Sequence, residues 1–241
     1  MPGLLARLFG SAAPHDPSAD PAELARIGAA VRDRLEADFG ARNRAGRRGA
    51  LYIFRDFIGE QQCSQLIQLI DSRITPSPLF NDGDGAGIRT SSTHYFADDQ
   101  PVAKAVARRI DALLGLDRSH AETLQGQRYL PGEEYRHHCD FFRTDREHWH
   151  RERLRGGQRT WTAMLYLNAV EMGGATHFPR LDLSIQPEPD MLVVWNNMSE
   201  KGSANYATVH AGQPVLAGRK YVVTQWYRQC SWKRRGACQT G

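Results

Sequence analysis

Val209–Arg228 reads VHAGQPVLAGRKYVVTQWYR, and its second half decides the fold. From Lys220 to Tyr227 the chain alternates with the period of a β-strand, which puts Lys220, Val222, Thr224 and Trp226 on one face. That face combines a charge, a hydroxyl and an aromatic edge with a single aliphatic side chain. An inward polar set on an otherwise apolar strand predicts a ligand pocket. Upstream of it, two glycines and a proline shape a turn between strands.

The same texture extends outward. From Glu122 on, short strand-like runs are separated by Pro131-Gly132, Gly156-Gly157, Gly173-Gly174, Pro187 and Pro189. Many short strands between turn signals predict a sandwich, a barrel or a jelly roll. The first half reads differently. Leu24, Ile27, Val31, Leu35 and Phe39 recur at spacings of three and four, so Pro21–Phe39 is an amphipathic helix with Asp20 as N-cap and Pro21 in its first turn. Gly40–Gly49 reads as a Gly/Arg/Ala linker and hinge, Leu51–Phe57 as a strand, and Gly59–Arg73 as a second helix. Thr75–Gly87 reads as a Pro/Gly/Asp loop, Ile88–Phe96 as a strand, and Pro101–Leu116 as a helix closed near Gly115. The plan is α+β: a β-rich second half supported by helices from the N-terminal half. Residues 1–49 form an extension with one helix, 50–229 a single domain, and 230–241 a flexible basic tail.

Composition sets outer bounds. The 241 residues are 41% apolar, enough for a sizeable core, with a formal net charge of +4. That balance permits acidic partners without implying nucleic acid. Much of the arginine lies in Arg42–Arg48 and Arg143–Arg159, which read as solvated loops. Cys63, Cys139, Cys230 and Cys238 form no C-x-x-C pair, which fits a reduced, cytoplasmic compartment. No apolar run approaches the roughly 20 residues of a bilayer span, and Met1–Ala13 reads as a frayed terminus. Oligomeric state is not legible.

The candidate chemistry lies in H-x-D…H. His138 and Asp140 stand at i and i+2, so an extended segment sends both side chains off one face; Cys139 between them points the other way. His210 arrives from a distant strand. Two imidazoles and one carboxylate on one side of a metal leave three adjacent positions open, the set that suits O₂-activating non-haem Fe(II). H-x-D alone is weak, and among nine histidines a second one downstream adds little. The surroundings of His210 supply the specificity: Lys220, ten residues on, offers a fixed charge for an anionic co-substrate. His94, His120, His137, His148, His150 and His177 read as ordinary core or surface residues, His148 and His150 on an exposed loop.

Three stretches carry a resemblance: QRYLPGEEYRHHCDFF (Gln127–Phe142), QRTWTAMLYLNAVEMGGATHFP (Gln158–Pro179) and VHAGQPVLAGRKYVVTQWYR (Val209–Arg228). From about Leu51 to Arg228 the chain resembles the prolyl 4-hydroxylase branch of the Fe(II)/2-oxoglutarate dioxygenases. The resemblance implies a double-stranded β-helix, that is, a jelly roll with helices outside it. It implies Fe(II) on His138, Asp140 and His210, and 2-oxoglutarate with its distal carboxylate on Lys220. Tyr129 assists that carboxylate, and Thr176 and Trp226 line its pocket. O₂ is the oxidant, ascorbate the reductant, and succinate and CO₂ the co-products. The implied substrate is a prolyl residue in a peptide or protein, with Arg89 in the R-x-S segment beside the groove. Phe141, Phe142 and Trp161 offer an apolar surface for the proline ring, although core packing suits Trp161 better. Ala175 stands where the family has Glu, Pro187–Asn197 lacks the glycine after the proline, and Gln213 replaces a frequent Cys. None of these is a proposed ligand. Thr144–Gly157 is an insertion.

Other readings use the same residues. One is the same chemistry on a free amino acid or other small metabolite. Nucleic-acid repair oxygenases are a second, disfavoured because they generally use arginine where Lys220 stands. A non-catalytic β-barrel binding module is a third, and the intact triad argues against it.

Overall fold

The alternation at Lys220 becomes a nine-residue strand whose two faces serve different layers. In the computed structural model, which describes residues 20–77 and 89–232, the strands in chain order are β1 (Leu51–Phe54), β2 (Thr75–Pro76), β3 (Ser92–Tyr95), β4 (Gln125–Tyr129), β5 (Tyr135–His138), β6 (Arg159–Tyr166), β7 (Met172–Gly173), β8 (Thr176–Phe178), β9 (Leu183–Ile185), β10 (Met191–Asn196), β11 (His210–Gly212), β12 (Val215–Ala217) and β13 (Lys220–Arg228). The helices are α1 (Pro21–Ala37), α2 (Glu60–Ser72), α3 (Pro101–Leu114) and the short α4 (Trp149–Glu152). A large antiparallel sheet runs β1-β10-β6-β13-β4-β3-β2, a small one runs β5-β11-β8-β9, and β12 pairs with β7. This is the α+β jelly roll that the sequence predicts.

One face of the large sheet packs on the helices. Trp161, Ala163 and Leu165 of β6 and Tyr221, Val223 and Tyr227 of β13 meet Val31, Leu35, Leu66, Ile70, Val106 and Ile110. Burying each large apolar side chain there stabilises the fold by about 1.5–3 kcal/mol. Contact is close at Gly126 of β4, where a Cβ would stand 2.4 Å from a side-chain carbon of Ile70; any side chain there would push α2 off the sheet. The opposite face looks into the jelly roll. Tyr129, Met164, Tyr166, Trp195 and Val222 meet Phe178 and Ile185 of the small sheet.

The helix signals act as expected at most ends. Asp20 accepts from the Ala22 N–H at 2.9 Å with Pro21 in the first turn, and Gly115 closes α3 in the left-handed region at φ 66°. Other boundaries differ. α1 stops at Ala37, and Phe39, counted on its apolar face, is half exposed beneath the Arg34 guanidinium. β1 ends at Phe54 because Asp56 adopts φ 53° and the Asp190 carboxylate takes the Ile58 and Gly59 N–H groups, each at 2.7 Å, turning the chain into α2. The expected strand 88–96 narrows to β3. Gly40–Gly49 is pinned rather than hinged: Asn43 accepts from the N–H groups of Ala45 and Leu51 and donates to Gly49 O, while Arg48 donates to the carbonyls of Arg180 and Leu181.

The segment expected as a solvated arginine loop is also corrected. Within 143–159, Trp149 and Glu152 are buried on α4. Arg159 is buried and bidentate to Glu122, at 2.6 and 2.8 Å. Arg228 bonds both Glu122 and Glu152. A buried carboxylate needs such partners, and sequence periodicity does not reveal pairing across 37 residues. Cys63 and Cys139 are thiols, whereas Cys230 is disulfide-bonded, a departure from the reduced chain that the cysteine pattern suggests. The terminus 1–19, most of the Thr75–Gly87 loop, and 233–241 of the tail lie outside the described residues.

Candidate metal and co-substrate site

β5 and β11 are antiparallel neighbours, and their register sets His138 opposite His210. Cross-strand partners stand close, so the two imidazoles lie 4.2 Å apart between ring centroids. The chain leaves β5 after His138, and Asp140 follows two residues on. The possible ligand atoms of His138, Asp140 and His210 all lie within 4.8 Å of one another. Asp140 Oδ1 is 3.7 Å from His138 Nε2, and Oδ2 is 3.9 Å from His210 Nε2. Among the described residues no other group of three such donors comes together.

The donor chemistry fits a metal. Nδ1 of His138 lies 2.8 Å from the Arg136 carbonyl and Nδ1 of His210 lies 3.0 Å from that of Thr208. A carbonyl only accepts, so each Nδ1 carries its proton and each Nε2 presents a lone pair toward Asp140. Rings hold these orientations. Tyr135 stacks on His138 at 3.5 Å, and Phe178 and Trp195 pack against His210. Burial and the neighbouring His210 push His138 down to about 3, so it stays neutral at pH 7. Burial pushes Asp140 up, but His210, His138 and Arg159 outweigh it and hold the carboxyl below its usual range. Two imidazoles and one carboxylate thus converge where a cation would bind.

Lys220 lies across the pocket at the start of β13, 2% exposed. Its ammonium donates to the Gly174 carbonyl at 2.7 Å and sits about equally far from the rings of Tyr129 and Tyr166. No carboxylate pairs with it among the described residues, and burial alone lowers it to about 7. A buried ammonium with one acceptor for three N–H groups is costly unless an anion completes it. The distal carboxylate of a keto acid would do so.

The remaining predicted residues divide. Tyr129 stands opposite Lys220 on β4. Thr176 lines the same pocket, its hydroxyl bonded to that of Tyr166. Trp226 lines it too, with the Arg159 guanidinium 4.1 Å from its ring centroid. Arg89 stands at the pocket over the Tyr135 ring at 5.1 Å and bonds Ser91 and Thr93. Phe141 and Phe142, expected to offer an apolar surface, do not line this pocket. Phe141 packs against Tyr206, and Phe142 lies under Arg228 and Arg159; both are buried. Trp161 faces the helices. Cys139 turns away from the triad toward Phe141 and Met198. The sequence reading missed Tyr135, Tyr166, Thr162, Gln127 and the Gly174 carbonyl. Period-2 counting on β6 and β4 places Thr162, Tyr166 and Gln127 on the inward face, so that signal was available.

The comparisons agree with this geometry. Residues 124–228 match the 2OG-Fe(II) oxygenase superfamily. The "Putative prolyl 4-hydroxylase" of Acanthamoeba polyphaga mimivirus is 27% identical over 196 residues, 81% of each chain. Prolyl 4-hydroxylase subunit alpha-1 of Gallus gallus is 33% identical over 190 residues, which are 77% of this chain but only 37% of that subunit; the chain thus spans little more than a third of it. The solved structure of viral collagen prolyl hydroxylase from Paramecium Bursaria Chlorella virus-1, in complex with 2OG, superposes with a TM-score of 0.60 at 26% identity, covering 74% of this chain and 95% of that one. Residues 124–228 thus form a 2OG-Fe(II) oxygenase domain, and over most of its length the chain is similar to prolyl 4-hydroxylases.

Proposed function

We propose that the protein is an Fe(II)- and 2-oxoglutarate-dependent dioxygenase that hydroxylates a prolyl residue of a peptide or protein. The observation that carries this reading is the pairing of a one-sided His138–Asp140–His210 triad with the uncompensated, buried ammonium of Lys220. Iron and 2-oxoglutarate, when bound, supply an oxidant strong enough to hydroxylate a C–H bond, with succinate and CO₂ as co-products. The chain's part is to bind, orient and exclude water. His138, Asp140 and His210 hold the iron from one side. Lys220, with Tyr129 and Thr176 lining the same pocket, would fix the far carboxylate of the keto acid and so orient the molecule before reaction. The rings of Tyr135, Phe178 and Trp195 keep the ligand imidazoles in place and dry. Arg89, at the pocket wall, would meet the target, and Trp226 would line the keto-acid pocket. Ascorbate as the reductant is part of the same proposal and rests on the family resemblance.

The test is succinate formation that requires Fe(II), 2-oxoglutarate and a proline-containing peptide together, with one oxygen added to that peptide by mass. Succinate with a free amino acid or small metabolite and with no peptide would replace the substrate assignment. Tight peptide binding without succinate would identify a binding module.

A further inference from the structure

The Asp140 carboxylate is held from behind by a directional relay. Its Oδ2 accepts from the Thr162 hydroxyl at 2.7 Å, and the Thr162 oxygen accepts from Asn197 Nδ2 at 2.9 Å. Thr162 and Asn197 are each 0% exposed and Asp140 5%, so little water competes for these groups. The Asn197 backbone is fixed as well: its N–H donates to Thr160 O at 2.7 Å and its carbonyl accepts from Asn205 N at 2.9 Å. A hydroxyl has one proton. Because Asn197 spends an N–H on the Thr162 oxygen, the Thr162 proton is left for Asp140. Turning the amide round would aim its oxygen at Thr162, draw that proton away and strip Oδ2 of its donor. The cost of the observed arrangement is visible, since Asn197 Oδ1 is buried with no partner.

We infer that Thr162 and Asn197 are positioning residues: the Thr162 proton engages Asp140 Oδ2, which lies 3.9 Å from His210 Nε2, and this reserves Oδ1, 3.7 Å from His138 Nε2, as the single-oxygen ligand. The inference rests on the metal reading of the triad. A carboxylate free to use both oxygens would take a second coordination position, one that the co-substrate or O₂ needs. The relay therefore keeps three positions open as well as strengthening the ligand.

Anaerobic titration of the full chain with Fe(II), followed by tryptophan fluorescence from Trp195 beside His210, tests this without turnover. Thr162→Val should weaken Fe(II) binding by about 10–100-fold, the usual effect of losing a partner behind a metal ligand. Thr162→Ser keeps the hydroxyl and should stay within about threefold of the parent. Asn197→Asp presents only acceptors, so it should reverse the relay and weaken binding at least as much as Thr162→Val. Asn197→Ala leaves the hydroxyl free to rotate and should fall between. Unfolding midpoints of the metal-free variants separate positioning from folding: affinity should fall out of proportion to stability. Parent-like affinity in Thr162→Val or Asn197→Asp, or affinity that merely tracks stability, would overturn the relay while leaving the triad intact. Failure of the parent chain to bind Fe(II) would overturn the metal reading itself, and the relay with it.

Discussion

The two faces of β13 are made from alternate residues of one strand, yet they do opposite work. Tyr221, Val223 and Tyr227 face the helices in a continuous apolar cluster, whereas Lys220, Val222, Thr224 and Trp226 line the pocket. The helix side meets the ordinary demand of a core, close packing of apolar groups. The pocket side buries the Lys220 amine without a counter-ion, a cost that lowers its pKa to about 7 and that a bound anion would offset. Stability and chemistry are thus separated by a single residue step.

Substitutions on the two faces should therefore fail differently. The largest effect belongs to Asp140→Ala, which removes the triad's only anion and should abolish 2-oxoglutarate turnover, measured as succinate; parent-like succinate would break the assignment. Next, Lys220→Ala should raise the 2-oxoglutarate requirement on the order of 100-fold, because the co-substrate loses its buried partner. An unchanged requirement would mean the anion is held elsewhere.

The third effect is on pH. With Lys220 lowered to about 7 by burial, the ligand-free protein holds this side chain neutral above that pH, while the bound dianion calls for an ammonium. Binding then takes up a proton, so 2-oxoglutarate affinity should fall by up to about tenfold per pH unit above 7. Lys220→Arg, always charged, should flatten that slope in calorimetric titrations. For the same group, between about 7 and 10.5 the unfolded chain binds a proton that the folded chain has lost. Its contribution to ligand-free stability therefore rises with pH across that window. The smallest chemical effect should come from the helix face. Leu165→Ala should cost about 2–5 kcal/mol of stability in denaturant unfolding, with the 2-oxoglutarate requirement kept within about twofold. A large change in that requirement would mean that the two faces are not separable.

Local signals made much of this legible. Period-2 alternation gave the pocket face of β13, and the i, i+2 spacing gave the shared face of His138 and Asp140. Asp20 with Pro21, and Gly115, marked helix ends. What was not legible depends on partners distant in sequence. Glu152 and Arg159 lie in a stretch that reads as a solvated loop, and only the fold brings them to Arg228 and Glu122. Asn43 and Asp190 form their turns through hydrogen bonds that no periodicity encodes. Phe141 and Phe142 were expected to offer an apolar surface to the substrate, but they lie on an irregular segment whose side-chain directions no periodicity fixes, and both turn into other clusters. The Thr162 signal was present but unread: it is inward on β6, and only the position of Asp140 gives that hydroxyl a purpose.

The most direct measurement is an anaerobic crystal structure of the full chain with Fe(II) and 2-oxoglutarate. One iron is expected, bound by His138 Nε2, Asp140 and His210 Nε2 from a common side, with the keto acid chelating it and its far carboxylate on the Lys220 ammonium. Iron bound elsewhere, or a keto acid whose far carboxylate lies away from Lys220, would contradict that expectation.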